Sequence, residues 1–271
     1  MDIQDSRIDK NHNIPLIKFR TWSAFVKFII KNKGQLQNCI FRGQQNPDWP
    51  LTPTFYRIIN GNRDESIRHS NFHLENFKKN TRGRHTISYT DPNDVDDNWW
   101  ALGQHYGLAT PLLDWVSSPY VAAFFSFHKE KSSAKETYRS VHVLDFDKIE
   151  SILASYNRGK AQLNEIRRVD PLTHENQRLV SQQGIFTFIQ ETNNEDNYSS
   201  IDKYLITFRD KFAENIGDEI LHLKILIRET ERHKILEHLD LMNINESTLF
   251  PDLNGAAAYC NYLLKRMKEQ T

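Results

Sequence analysis

The chain has only two cysteines, Cys39 and Cys260. Two isolated thiols cannot make the paired C-x-x-C spacing of a zinc site, and a single disulfide would require export, so a reducing cytoplasm is the expected setting. Long apolar runs are missing too: none reaches 18 residues, so hydropathy indicates no transmembrane helix and no membrane partner. The first residues, MDIQDSRIDKNHN, hold no apolar signal core. Neither sign of charge predominates, with 35 Lys+Arg against 35 Asp+Glu. Net charge therefore does not call for nucleic-acid binding, although it leaves a local basic patch open. Phosphate loops of the G-x-G-x-x-G and G-x-x-x-x-G-K types are absent, as is the G-x-S-x-G nucleophile elbow. His69 and His73 are spaced to share a helix face, but no further ligand follows in a metal pattern and no metal is expected. No internal repeat is visible.

The most distinctive stretch is Trp99–Phe127, WWALGQHYGLATPLLDWVSSPYVAAFFSF, the least charged long run in the chain. Its apolar residues are interrupted by Gln104, His105, Thr110, Asp114, Ser117 and Ser118. Burying such groups costs a few kcal/mol each unless they find partners. Two readings follow: a satisfied internal network, or the lining of a pocket. Gly103 and Gly107 bracket Gln104-His105-Tyr106, as at a helix end or tight turn. Pro111 stops any helix before Leu112. Ser117-Ser118-Pro119 reads as a serine cap with proline at the first helical position. The helix behind it, Tyr120–Phe127, is apolar almost all round and so buried. Its N-terminus offers backbone N–H groups and two hydroxyls to an anion, or simply a capped end.

Elsewhere, residues 1–15 read as a flexible N-terminus and 16–271 as one domain. The spacing predicts an amphipathic helix in Leu16–Lys33, with Thr21 or Ser23 near its start. Strands are expected at Asn38–Arg42, Ser140–Phe146, Gln182–Gln190 and Leu221–Arg228, the last with Leu221, Leu223, Ile225 and Ile227 on one side. Gln44–Pro53, with three prolines and a tryptophan, reads as a loop leading outward. Helical patterns cover Thr54–Lys79, Glu231–Asn243 and Asn254–Met267, while Ile201–Asp210 fits helix or strand. Thr81–Asn98, Lys129–Tyr138 and Asn193–Ser199 read as loops. Without a regular βαβ rhythm, the class is α+β: a single domain with a small mixed sheet flanked by helices.

Chemistry-bearing candidates stand out by position. Arg42 ends a strand and precedes Gly43, where a ligand or backbone can approach closely. Its guanidinium fork suits a phosphate or carboxylate, or an ion pair with Asp114 or Asp252. His105 fits a general base, a ligand donor, or a buried histidine held by a main-chain carbonyl. Asp114, between apolar neighbours, is expected to be buried and paired. Gln182 and Gln183 can orient a ligand but not act as bases. Arg178 lies nearby as a ligand contact or a surface charge. Asp252 fits a turn or cap as well as a site.

Four stretches together resemble the FRG-domain family, named for its Phe-Arg-Gly motif. They are Phe41-Arg42-Gly43-Gln44; Gln104-His105-Tyr106-Gly107 leading through Thr110 and Leu112-Leu113-Asp114-Trp115 to Ser118-Pro119; Gln182-Gln183-Gly184 with Phe186; and Leu249-Phe250-Pro251-Asp252-Leu253 with Gly255. The resemblance spans roughly residues 20 to 265. Pro111 stands where that family often has arginine, so a phosphate role for that arginine is missing here.

A more distant resemblance is to ADP-ribosyltransferases of the arginine-serine-glutamate class. Arg42, Ser117/Ser118, Ala122–Phe125, the 140–146 strand and Gln182/Gln183 appear in their order, with glutamine in place of the catalytic glutamate. A neutral amide stabilises an oxocarbenium-like transition state poorly. These resemblances imply an ADP-ribosyltransferase-like fold. They also imply a nucleotide ligand, with NAD as substrate, held by Arg42, Gln104, Ser117, Ser118, Gln182 and Arg178. His105 and Gln183 would be the catalytic candidates. The implied activity is ADP-ribosyl transfer or NAD glycohydrolysis in bacterial defence or toxin action, with the acceptor unnamed. The other class is a non-catalytic module that senses a nucleotide or a protein.

Overall fold

The structure, a computed structural model, describes residues 7–9, 14–59, 63–84, 95–130, 137–156, 165–169, 177–190, 199–217 and 219–269. Its centre is an eight-stranded sheet: β1 Arg7–Asp9, β2 Ile14–Phe19, β3 Ile40–Gln44, β4 Leu113–Val116, β5 Tyr138–Leu144, β6 Glu165–Val169, β7 Gly184–Gln190 and β8 His222–Arg228, in the order β1-β2-β8-β5-β3-β4-β7-β6. Among the described residues only β2 and β8 pair in parallel, so the sheet is mixed and the chain α+β. Among the described residues no helix is long and apolar enough to cross a membrane.

Helices cover both faces. On one, helices Trp22–Lys31, Pro119–Phe127 and Arg232–Leu241 pack Phe25, Phe124, Phe127 and Ile235 against Phe41, Val141 and Ile225. On the other, helices Phe146–Tyr156 and Ile201–Lys211 pack Ile149, Tyr204 and Phe208 against Ile40, Leu113 and Trp115. A smaller cluster joins helices Arg63–Asn80 and Val95–His105 to Leu112 and Phe186. Burial of this kind is worth roughly 25 cal/mol per Å² of apolar surface, which is why elements with weak intrinsic preference still form.

The helix after Ser118 starts as the sequence requires: Ser118 Oγ accepts from the N–H of Val121 and Pro119 takes the first helical position. Thr21 likewise caps the helix Trp22–Lys31, accepting from Ala24 N–H at 3.3 Å. That helix is shorter than expected. Ile14–Phe19 is a strand, alternating onto the core beside β8, and helix begins only after Thr21. Strand pairing also reaches Arg7–Asp9, inside the stretch read as loose. The sheet is larger than the four expected strands because Leu113–Val116 and Glu165–Val169 also pair in it. Of the expected loops, Val95–Asn98 is already helix, and residues 85–94, 131–136 and 191–198 lie outside the described residues.

Strand β8 carries its expected apolar side, Leu223, Ile225 and Ile227, in the core. Its polar side is buried as well, with His222 at 6% and Lys224 at 2% exposure. Cross-strand register puts Arg42, His142 and Lys224 in one row across β3, β5 and β8. Gln44 Nε2 donates to Pro50 O, which leaves Gln44 Oε1 facing His142 Nε2 at 3.0 Å. A carbonyl oxygen only accepts, so His142 donates from Nε2, and its Nδ1 lies 3.0 Å from His222 Nε2. A polar layer therefore lies under the sheet's centre, where plain alternation suggests solvent.

Candidate functional site

Strand β3 pairs with β5 along its whole length, and β4 pairs with β7, but β3 and β4 share a single pair, Phe41↔Val116. Beyond that pair the ladder stops and a cleft of about 570 Å³ opens, floored by Phe41–Gln45 on one side and by Asp114–Val116, Gly184 and Phe186 on the other. The motif in β3 sets which of its residues face the cleft. Phe41 points into the core at 1% exposure. Gly43 lies under the helix Pro119–Phe127, where a Cβ would come within 1.9 Å of Ala122 O. The close approach allowed by Gly43 is therefore that of a helix backbone. Arg42, between them in the alternation, takes the opposite face and lines the cleft.

Arg42 Nη1 donates to the main-chain carbonyl of Asp114 at 2.7 Å and reaches the Asp114 carboxylate at 3.5 Å. The side chain thus substitutes for the missing ladder bond and bridges the two halves of the sheet. Its Nε is buried without a hydrogen-bond partner. Burial pulls the Arg42 pKa below its ordinary value; Asp114 opposes that shift, and the charge of Arg57 adds to it. Gln104 Nε2 holds Asp114 Oδ1 at 2.6 Å, and Gln104 Oε1 accepts from Thr110 Oγ1. Asp114 is paired as expected but not buried: its side chain is 59% exposed. It sits on a strand between Leu113 and Trp115, each 1% exposed, and projects from the opposite side into the cleft. Apolar neighbours in a strand therefore reported the burial of the other face.

Of the sequence candidates, Arg42, Gln104, His105 and Gln182 line the cleft. Gln182 Nε2 donates to Leu249 O at 3.0 Å and ties the rim to the segment before Phe250. Ser117, Ser118 and Gln183 are not among the lining residues. Ser118 is spent on its helix cap. Ser117 Oγ donates to Gln183 Oε1 at 2.5 Å, and Gln183 has a left-handed backbone, φ +48°, at the turn into β7. The helix N-terminus and Gln183 thus meet each other beside the cleft, and a common cleft for Arg42, His105, Ser118 and Gln183 is only half realised. Arg178 falls in the helix Gln177–Gln182, and its side chain lies outside the described residues. Asp252 acts as a cap, accepting from Gly255 N–H at 2.8 Å. His73 Nε2 faces Ala109 O at 3.1 Å.

Three lining residues are not among the sequence candidates, Arg57, Lys129 and Trp49, while a fourth, Phe250, belongs to the last of the family stretches. Arg57 and Lys129 are exposed cations that form no ion pair among the described residues. Trp49, in the proline-rich loop, is 50% exposed. The loop read as leading outward instead folds along the rim, and an aromatic in a polar loop was the only available hint. Among the described residues the cleft thus combines the cationic side chains of Arg42, Arg57 and Lys129, one carboxylate and several aromatic rings.

Residues 37–135 match the family model of the FRG domain, a stretch that takes in Arg42, Gln104, His105 and Asp114. No curated protein and no solved structure matches the chain.

Proposed function

On the premise that this chain carries an FRG domain, we propose that its cleft binds a phosphate-bearing nucleotide, NAD among the candidates. The observation that carries this reading is the grouping of Arg42, Arg57 and Lys129 around one cavity whose described lining holds a single carboxylate, Asp114. Two guanidiniums and an ammonium against one carboxylate among the described lining residues form a receptor short of negative charge. Phosphate oxygens supply that charge and match the guanidinium fork. The half-exposed Trp49 and the rings of Phe125 and Phe250 offer flat apolar surface to a base, in a volume of the size that small ligands fill.

A kinship with ADP-ribosyltransferases, and with it ADP-ribosyl transfer or NAD glycohydrolysis in defence or toxin action, belongs to the same proposal. Its support is the order of Arg42, Ser117/Ser118, Ala122–Phe125, the 140–146 strand and Gln182/Gln183. His105, in the cleft lining, is the group suited to proton transfer. One observation favours the second reading, a non-catalytic nucleotide-sensing module: Gln183, at the glutamate position, is an amide held by Ser117. Incubation of the chain with NAD separates the two. Release of free nicotinamide, lost in His105→Ala, supports the enzyme. Saturable NAD binding without nicotinamide release supports the module.

A further inference from the structure

We infer that Asp114 reads the sugar of the bound nucleotide, so that the cleft takes ribonucleotides in preference to deoxyribonucleotides. This rests on the nucleotide reading above and adds to it a specificity group. Asp114 is the one carboxylate among the described residues that line the cleft. A site for phosphate alone gains nothing from it, because a carboxylate beside a bound phosphate repels it. A ligand that carries hydroxyl donors next to its phosphates does gain, since an ionised carboxylate only accepts. The two vicinal hydroxyls of a ribose are such donors.

The carboxylate is also held in place at some length. Thr110, fully buried, donates from Oγ1 to Gln104 Oε1, and its own N–H donates to Thr54 Oγ1 at 3.1 Å. With Gln104 Oε1 taken by a donor, the amide N–H₂ end must face Asp114, which it does at 2.6 Å. Arg42 approaches from the other side at 3.5 Å. Each carboxylate oxygen accepts about two hydrogen bonds, so acceptor sites stay open toward the cleft after Gln104 and Arg42 are counted. A relay that runs from buried Thr110 through half-buried Gln104 to a carboxylate 59% exposed orients a group for something outside the fold. Gln104 is accordingly a positioning residue for Asp114.

The test is titration of the chain with ADP, 2′-deoxy-ADP and inorganic pyrophosphate. Wild type should bind ADP at least about tenfold more tightly than 2′-deoxy-ADP, the value of one lost hydrogen bond to a charged group. Asp114→Asn, nearly the same shape, should bring that ratio below about threefold while pyrophosphate binds as well or better. Gln104→Leu should lower the same ratio and leave pyrophosphate unchanged, an outcome that a merely structural role would not give. Equal affinity of wild type for ADP and 2′-deoxy-ADP would overturn the role of Asp114 and leave the nucleotide reading standing. No binding of ADP at all would overturn both.

Discussion

At the scale of single residues, Arg42 and Asp114 divide their work between fold and cleft. Arg42 spends one donor on the Asp114 carbonyl and is largely desolvated, while the Asp114 carboxylate remains mostly in water. Exposed ion pairs are worth about 0–1 kcal/mol. Asp114→Ala should therefore lower stability by no more than about 1 kcal/mol, well short of the 3–5 kcal/mol of a broken buried pair. Denaturant unfolding of the variant measures the difference. Arg42→Lys should cost more, because the shorter lysine keeps the charge but withdraws the donor that Nη1 gives to the Asp114 carbonyl inside the fold; a loss of about 1.5–3 kcal/mol is expected in the same measurement. Arg57 and Lys129 have no ion-pair partner among the described residues, so their alanine variants should melt as wild type does.

At the scale of elements, the Phe-Arg-Gly triplet is a period-two pattern put to three uses: core, cleft and helix contact. Gly43 is fixed by the helix above it, with Ala122 O at 1.9 Å and Ser126 N at 2.8 Å from the position of a Cβ. Both neighbours are backbone or backbone-tied, so neither can yield. Gly43→Ala should destabilise by about 3 kcal/mol or fail to fold, read as a drop in denaturation midpoint or loss of soluble protein.

Much of this level was legible in the sequence. The caps Thr21 and Ser118, the buried helix Pro119–Phe127 and the strands around Arg42 and His142 follow from side-chain chemistry and spacing. What failed was whatever long-range pairing decides. Ile14–Phe19 has a pattern compatible with helix, and β8 pulls it into the sheet. Asp114 reads as buried because one strand presents two faces. Arg57 and Lys129 are ordinary surface cations until the loops bring them to one rim.

At the scale of the whole molecule, both hidden and exposed groups set behaviour in solution. His128 lies stacked on Phe124, and burial, with the charge of Lys129, lowers its pKa to about 4. Unfolded, it would titrate near 6.5. Between those values the unfolded chain binds the extra proton, so stability falls as pH drops from about 6.5 toward 4. The full contribution is on the order of 3 kcal/mol, and His128→Phe should flatten this part of the pH–stability curve. Cys39 is buried, and its thiol is pushed up to about 12 by burial and by Asp145 and Asp147. Native labelling with a thiol reagent should modify Cys260 alone, and labelling in denaturant both cysteines; mass spectrometry counts them.

The central claim is that the two halves of the sheet part to form an anion-binding cleft in which Arg57 and Lys129 are the cations left without an ion pair among the described residues. Calorimetric titration with ADP, comparing wild type with the Arg57→Ala/Lys129→Ala double variant, tests it most directly. One-to-one binding by wild type is expected. The double variant, with its melting temperature unchanged, should bind at least about a hundredfold more weakly, since each lost charge-assisted contact is worth about 1.5–3 kcal/mol. No binding by wild type, or equal affinity in the double variant, would contradict it.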